Sequence, residues 1–431
     1  MIPTATTVLI TLVLMSLPVA VVLVALGIGM SELYSFFPLL PAAGEILWSS
    51  STEFVLVAVP MFILMGEILL RCGVARDMYE ALDKWVNRIP GGLMHTNIAS
   101  CTIFSATSGS SVATAATIGT VAIPNMRRLG YRPSLYLGSI AAGGTLGILI
   151  PPSINMILFG VLAEVSITQL YLAALLPGIL LAVLFSLAVL VISIWRPEID
   201  GTASPSTWRE RIIAVRALLA PVGLFAVVVG SIYAGFATPT EAAALGVIAA
   251  LLIAAFRGRL TMRSLGEALE GTMRTTAMVM LIVLSAFFLN FVLVSIGLTG
   301  QIADAIRAID LSPTAVLLMI VASYLILGCF METLSLMIAT TPIVASVVAA
   351  LGYDLVWFGV VFMILIEAAL ITPPIGVNLF VVQSVRTVSD AGPIRDVMLG
   401  VVPFFVMMIG MIGLLIAFPN LALWLPSLVM P

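Results

Sequence analysis

Charge is scarce in this chain. Only 9% of its 431 residues are Asp, Glu, Lys or Arg, against 61% hydrophobic, where a soluble globular chain carries about 25% charged residues. That shortage excludes a soluble domain. The net charge of −3, from 18 cations and 21 acids, says little here, because placement matters more than the sum; no nucleic-acid partner is expected. Lysine and histidine occur once each, as Lys84 and His95, which leaves few candidate general bases. The three cysteines, Cys72, Cys101 and Cys329, lie in or beside apolar segments, with neither metal-ligand spacing nor a disulfide framework. No cofactor is expected, and no metal beyond a coupling ion. The phosphate-cradling pattern GxxxxGK[ST] is absent, which excludes ATP hydrolysis by that route. The short alternating strands of a membrane barrel are missing too. What remains is a set of long apolar runs, which predicts an all-α polytopic membrane protein resident in the lipid bilayer.

The most informative run is Leu135–Ala163, long enough to span a bilayer. Its centre, GGTLGILIPPSIN at Gly143–Asn155, carries three glycines and Pro151-Pro152. Each proline lacks an N–H and crowds the preceding turn, so a regular helix cannot pass. Backbone groups freed at membrane depth are tolerated only inside protein or against a water-filled cavity. A second copy, EAALITPPIGVN, occupies Glu367–Asn378. Paired interruptions in corresponding halves point to a transporter's binding site.

In chain order, Val8–Met30 is expected as the first span. It lacks a positive leader and is too long for a secretion signal, so it is expected to be retained. Ser31–Ser51, with Pro38 and Pro41, is expected as an interfacial connection, and Phe54–Leu70 as a span carrying Glu67. Within Val74–Val86, apolar Val74, Met78, Leu82 and Trp85 recur at helical spacing between charges, predicting an amphipathic interfacial helix. Gly91–Ile123 is loaded at its centre with SATSGSSVATAAT, Ser105–Thr117. A small-residue packing face is one reading. A re-entrant hairpin with its tip at Ser108-Gly109-Ser110-Ser111 is the reading that the nearby break favours. Further spans are expected at Ile167–Ile194, Leu218–Tyr233, Glu241–Phe256 and Thr275–Gly297, with polar connectors at Trp195–Arg216 and Arg257–Arg274. A second amphipathic helix at Leu298–Ile309, a second hairpin at Thr314–Ala349 with its tip at Gly328–Thr333, and a last span at Val397–Leu425 complete the chain.

An offset of 222 residues superposes both Leu351-Gly352-Tyr353 on Leu129-Gly130-Tyr131 and Pro373-Pro374 on Pro151-Pro152. That shared offset predicts a duplicated unit. Between the starts of the two units the chain crosses an odd number of times, so the repeats are inverted. With the N-terminus in the cytoplasm and both hairpins re-entrant, 17 of the 18 cations fall on the cytoplasmic side and only Arg307 outside, as the positive-inside rule requires. The C-terminus is then external.

Hairpin tips and broken helix ends meeting near the midplane would present N–H groups to anions and C=O groups to cations. The oxygens at Ser108–Ser111 and Gly143–Gly147 are hydroxyl and carbonyl only, which suits a hard monovalent cation such as Na⁺. The second copy offers Thr333, Thr372, Asn378 and the carbonyls beside Pro373-Pro374. Glu332 and Glu367 are ionisable at membrane depth, which is costly and by default functional. They could carry protons, ligate Na⁺ or fix the hairpin by hydrogen bonds. Glu67 and Glu241 read as helix-end or packing residues, and His95 as a satisfied interfacial histidine. No cation lies within the apolar segments, so substrate charge is open. Ser108 or Ser110 could serve an intramembrane hydrolase only with an adjacent base.

Taken together, SGSSVATAATIGTVAIPNMRRLGY, GTLGILIPPSINMILFG, SITQLYLAALLPGI, TPTEAAALG, GCFMETLSLMIATTPI and ITPPIGVNLFVV resemble the large membrane subunit of tripartite ATP-independent periplasmic (TRAP) transporters. The resemblance implies the elevator-type fold of the ion-transporter superfamily, a bacterial inner-membrane location, and no enzymatic activity. It implies Na⁺-driven import of organic acids, often carboxylates, delivered by a periplasmic binding protein. It also implies a small membrane subunit, expected as a separate chain because this one begins almost at its first span. One sodium site maps to Ser108, Gly109, Ser110, Ser111, Gly143, Gly144, Thr145 and Gly147. The other maps to Gly328, Glu332, Thr333, Thr372, Pro374, Gly376 and Asn378. The substrate region is expected at Ser110, Thr114, Pro151, Pro152, Asn155, Glu332 and Asn378. The implied division is an N-terminal span and connection (1–52), a scaffold span and amphipathic arm (53–90), and the first transport hairpin and broken helix (91–163). Scaffold spans, connectors and a second arm (164–312), the second transport hairpin and broken helix (313–384), and a C-terminal span (385–431) follow.

Overall fold

The computed structural model describes residues 1–15, 17–202, 206–298, 300–301, 311–329, 331–386 and 392–429. The described residues form helices and connecting turns, with no strand among them. Among the described residues, six helices are long and apolar enough to cross a bilayer, or seven if one bent pair counts as a span. The expected helix Leu298–Ile309, Arg307 and Phe330 of the second tip lie wholly or mostly outside the described residues.

The two hairpins form as expected, with arms Leu93–Ser108 and Ser111–Arg128 in the first and Pro313–Leu327 and Thr333–Ala350 in the second. Both are re-entrant, because each returns to the face it left. The Gly91 N–H donates to Asp200 Oδ2 (2.9 Å) and the Thr202 N–H to Leu129 O (2.8 Å), tying both ends of the first hairpin to one loop. At the second, Thr314 Oγ1 and Tyr353 OH lie 3.4 Å apart. The interrupted helices run Pro133–Thr145 with Ile154–Leu162, and Leu355–Ile371 with Val377–Val385. Leu355–Ile371 is apolar on every face and buried from Val356 to Ile371, as an all-round apolar helix should be. It interlocks the halves through ring contacts of Phe358 and Phe362 with Phe159 (centroids 6.4 and 5.6 Å).

Four expectations are corrected. Val8–Met30 is not one helix but two, Ile2–Leu14 and Val19–Tyr34, because Pro18 restricts Leu17 to non-helical backbone. The Trp195–Arg216 connector is half helical. A capping box between Thr207 and Glu210 starts the helix Trp208–Tyr233 early, satisfying two otherwise free N–H groups. Likewise Arg257–Arg274 and Thr275–Gly297 merge into one 34-residue helix, Met262–Ser295, capped by Thr261. Finally, Val397–Leu425 divides into Arg395–Gly400, Val402–Ala417 and Asn420–Val429, with a 62° bend at Phe418-Pro419, where the proline again stops a helix.

The amphipathic helix Val74–Val86 does more than lie at the interface. Val74, Met78, Tyr79 and Leu82 are buried. The Tyr79 hydroxyl donates to Asn97 Oδ1 (2.7 Å) and meets Tyr136 OH (3.1 Å), while Asn97 Nδ2 donates to Ser139 Oγ (2.9 Å). This buried network joins the arm to the first hairpin and first interrupted helix. The connectors bearing cations share one face: Arg257 pairs with Asp77, and Arg71 with Glu67 and Glu267. The span Pro239–Phe256 exposes an apolar stripe of Leu245, Ile248, Leu252 and Phe256.

Gly138 of the first interrupted helix lies so close to Gly400 that a Cβ would overlap its carbonyl. Substituting Gly138→Val should therefore destabilise the protein by roughly 1–3 kcal/mol through overpacking. The helical Gly410 has open space around it, so Gly410→Ala should be neutral or stabilising by at most about 1 kcal/mol. Thermal melts of the purified variants check the contrast. Equal melting shifts would show that the Gly138 contact does not constrain the fold.

Candidate functional site

The first hairpin turns at Gly109, which holds a left-handed backbone (φ +60°), a conformation that glycine adopts without a side-chain clash. A Cβ there would also stand 2.9 Å from Pro152 O. Ser110 is extended and its Oγ accepts from Ala113 N (3.4 Å), starting the returning arm. A Cβ on Gly147 would lie 2.9 Å from both Ser110 C and Ser111 N. Gly144 similarly abuts Ala115 and Gly143 abuts Cys101. The glycines of the break thus let it meet the tip backbone to backbone.

The carbonyls of Gly143, Gly144 and Thr145 are not free, as the sequence suggested. They accept turn hydrogen bonds from Leu146, Gly147 and Ile148 (3.2, 3.3 and 2.9 Å). A carbonyl has two lone pairs, so each keeps acceptor capacity. Thr145 is fully buried and its Oγ1 donates to Ala142 O (2.8 Å). Ser108 Oγ lies 2.8 Å from Thr114 Oγ1, and Thr114 also donates to Ser110 O (2.8 Å). Pro151 and Pro152 are buried behind the tip.

The second half departs from this pattern. Glu332 is the cap of the returning arm: its carboxylate accepts from Leu334 N (3.0 Å), Ser335 N (2.8 Å) and Ser335 Oγ (2.8 Å). An anion suits a helix N-terminus, so the glutamate fixes the hairpin by hydrogen bonds. Thr333 Oγ1 also donates to it (3.3 Å). Gly328 packs directly on Ala369. Thr372 Oγ1 donates to Ala368 O (2.6 Å), and Gly376 N to Thr372 O (3.1 Å). The second break is open, with Pro373, Pro374 and Ile375 exposed, where residues 146–153 of the first are all buried. Asn378 reaches across the repeat: its Nδ2 donates to Ala141 O (3.1 Å), while its buried Oδ1 has no partner.

A cavity of about 390 Å³ collects the pieces. Ser108–Ser111 of the first tip, Asn155 beyond the first break, and Glu332 and Thr333 of the second tip form one wall. The other wall comes from the spans Phe54–Arg71 and Met262–Ser295, through Ile63, Gly66, Glu67, Thr275 and Met278. Thr114, Pro151, Pro152, Thr372, Pro374, Gly376 and Asn378 do not line it. No site residue was expected on these spans. Glu67 was a usable signal, since a carboxylate in a span is costly, and Arg71 one helical turn on compensates it.

Glu367 stands apart. It is fully buried, and neither carboxyl oxygen has a hydrogen-bond partner. The one histidine, His95, does not line this cavity. His95 is engaged by Ser186 Oγ (2.5 Å) and Pro90 O (2.7 Å).

The profile of the tripartite ATP-independent periplasmic transporter, DctM component, matches residues 6–421. The chain belongs to this family. It is 32% identical over 382 residues to the C4-dicarboxylate TRAP transporter large permease protein of Pseudomonas aeruginosa, covering 88% of each chain. It is 34% identical over 376 residues to the ectoine/5-hydroxyectoine TRAP transporter large permease protein of Ruegeria pomeroyi, covering 86% of each. The fold is that of the YdaH transporter of Alcanivorax borkumensis (TM-score 0.60, 16% identity, 94% of this chain and 98% of that one) and of MtrF of Neisseria gonorrhoeae (TM-score 0.63, 13% identity, 92% and 94%). It is therefore a multi-pass TRAP permease component built on inverted repeats with re-entrant hairpins.

Adjacent residues of the first tip face opposite ways: Ala113 lines the cavity, while Thr114 is fully buried. In a Cys329→Ser background, Ala113→Cys should react with a water-soluble maleimide and Thr114→Cys should stay unlabelled, as mass spectrometry of the labelled protein can read. Equal labelling of both would sink the assignment of this cavity wall.

Proposed function

We propose that the chain is the large permease subunit of a Na⁺-coupled importer of organic acids in the bacterial inner membrane. The observation that carries this reading is the cavity in which both hairpin tips meet two spans outside the repeats' hairpins. In this reading the hairpins and interrupted helices (91–163 and 313–384) move as a transport domain against a scaffold of the remaining spans, as an elevator. The cavity at their junction then carries the substrate across. A periplasmic binding protein delivers the acid, and a small membrane subunit braces the scaffold. The N-terminus is cytoplasmic and the C-terminus periplasmic, which puts the arginine-bearing face inside.

The chemistry of the first tip supports Na⁺. Its polar groups are neutral hydroxyls and carbonyls, pressed against the break by glycine contacts, which is the donor set a hard monovalent cation takes. The second site, around Gly328, Thr333, Thr372 and Asn378, has an unpartnered Asn378 Oδ1 available as a ligand. The two cited relatives are named for a dicarboxylate and for ectoine, so the family relation leaves the particular acid open. A hydrolase reading has less support, because a serine nucleophile needs a base and His95 is engaged by Ser186 and Pro90 away from Ser108 and Ser110.

One observation favours proton coupling as a second reading: the buried, unpartnered carboxyl of Glu367. Uptake into proteoliposomes holding this chain and its small subunit, with binding protein and acid outside, separates the two. We expect uptake driven by an inward Na⁺ gradient. Ser110→Ala should raise the Na⁺ concentration needed by about tenfold, the equivalent of ~1.4 kcal/mol of lost coordination. Uptake driven by H⁺ alone and abolished by Glu367→Gln would overturn the Na⁺ assignment.

A further inference from the structure

A second cavity, of about 430 Å³, opens on the arginine-bearing face, between the end of the span Phe54–Arg71, the start of Val74–Val86 and the end of Pro239–Phe256. Its walls are Arg71, Arg76, Arg257, Arg259 and Asp77, with Cys72 and Gly73. Four arginines and one carboxylate line this cavity. Two of the arginines are already committed. Arg71 pairs with Glu67 and with Glu267 (3.9 Å), and Arg257 pairs with Asp77 and donates to Cys72 O (3.1 Å). Arg76 and Arg259 have no ion-pair partner among the described residues, and both are exposed. The helix Val74–Val86 starts at this cavity with Gly73 as a cap that offers no side-chain acceptor, so its positive end adds to the field.

The surroundings narrow the ligand. Phe256 and Leu260, the chain neighbours of Arg257 and Arg259, are exposed, and the cavity lies at the ends of the two apolar spans Phe54–Arg71 and Pro239–Phe256. Guanidinium forks match phosphate oxygens bidentately, and basic pockets between spans at a membrane surface bind anionic lipid headgroups. We propose that this arginine pocket binds a phosphate-class anion, the phosphodiester headgroup of an anionic phospholipid whose acyl chains lie against the apolar rim. The pocket is separate from the transport cavity and does not rest on the coupling ion. The bound lipid would bridge the amphipathic arm and the Pro239–Phe256 span, adding to the Arg257–Asp77 link.

The experiment is native mass spectrometry of the purified protein titrated with phosphatidylglycerol or phosphatidylethanolamine, beside thermal melts in inorganic phosphate. The test variant is Arg76→Gln/Arg259→Gln, which leaves both ion pairs intact. We expect phosphatidylglycerol to bind the wild-type protein more tightly than phosphatidylethanolamine. The double variant should lose about 25-fold in affinity, on the basis of roughly fivefold per cation near an anionic surface. Stabilisation by inorganic phosphate that is lost in the variant would also support the anion site, with a soluble source. Equal phosphatidylglycerol affinity in wild-type and variant, with no phosphate response in either, overturns the proposal. Should the double variant fold poorly, Arg259→Gln alone gives the same contrast at about fivefold.

Discussion

A helix broken inside a membrane must satisfy its freed backbone groups with protein, since lipid offers no partner. The rest of this structure depends on that constraint. The first break is buried throughout and turns back on itself through hydrogen bonds among residues 143–150. It then takes the first hairpin tip as its cover, with Gly147 against the Ser110–Ser111 peptide and Pro152 O against Gly109. Only residues without a Cβ permit that approach, so the glycines and the hairpin form one device. Its location at the junction of two spans and two tips places it along one wall of the 390 Å³ cavity.

The repeats share an architecture but differ in how they meet this constraint. In the first half, small residues and hydroxyls satisfy the tip. In the second, a carboxylate does it, with Glu332 capping the returning arm through three acceptor contacts. The second break is left open, and Asn378 is drawn into the first repeat. The duplication therefore produced one enclosed broken helix and one exposed one. An exposed break has room for groups to exchange with water, while an enclosed one holds its backbone rigid. Glu367 belongs to neither pattern, for its register equivalent is Thr145, whose hydroxyl is satisfied within its own helix.

The arginine-rich face shows a different balance. The Arg257–Asp77 pair ties the amphipathic arm to one span and Arg71–Glu267 ties two spans together, while the Tyr79–Asn97–Ser139 network holds the arm's apolar side in the protein interior. Exposed ion pairs contribute little each, so the buried tyrosine network and apolar face carry more of that contact than the charges do. Two arginines beyond those needed for the pairs give the face a function of its own.

The sequence by itself determined the fold class, the paired breaks, both hairpins and their re-entrance, because proline, glycine and charge placement act locally and leave marks in composition. It also located Ser108–Ser111 and Glu332 as tip residues. It did not determine helix continuity where capping decided it, as at Thr207 and Thr261, nor the bend at Phe418-Pro419, since these depend on whether one polar side chain closes a hydrogen bond or one proline is accommodated. Nor did it supply the far wall of the cavity. Gly66, Glu67 and Thr275 sit on spans distant in sequence from the breaks, and they join the site only because the tips fold back against them. That meeting is decided by packing across the repeats, a long-range property that no local pattern encodes.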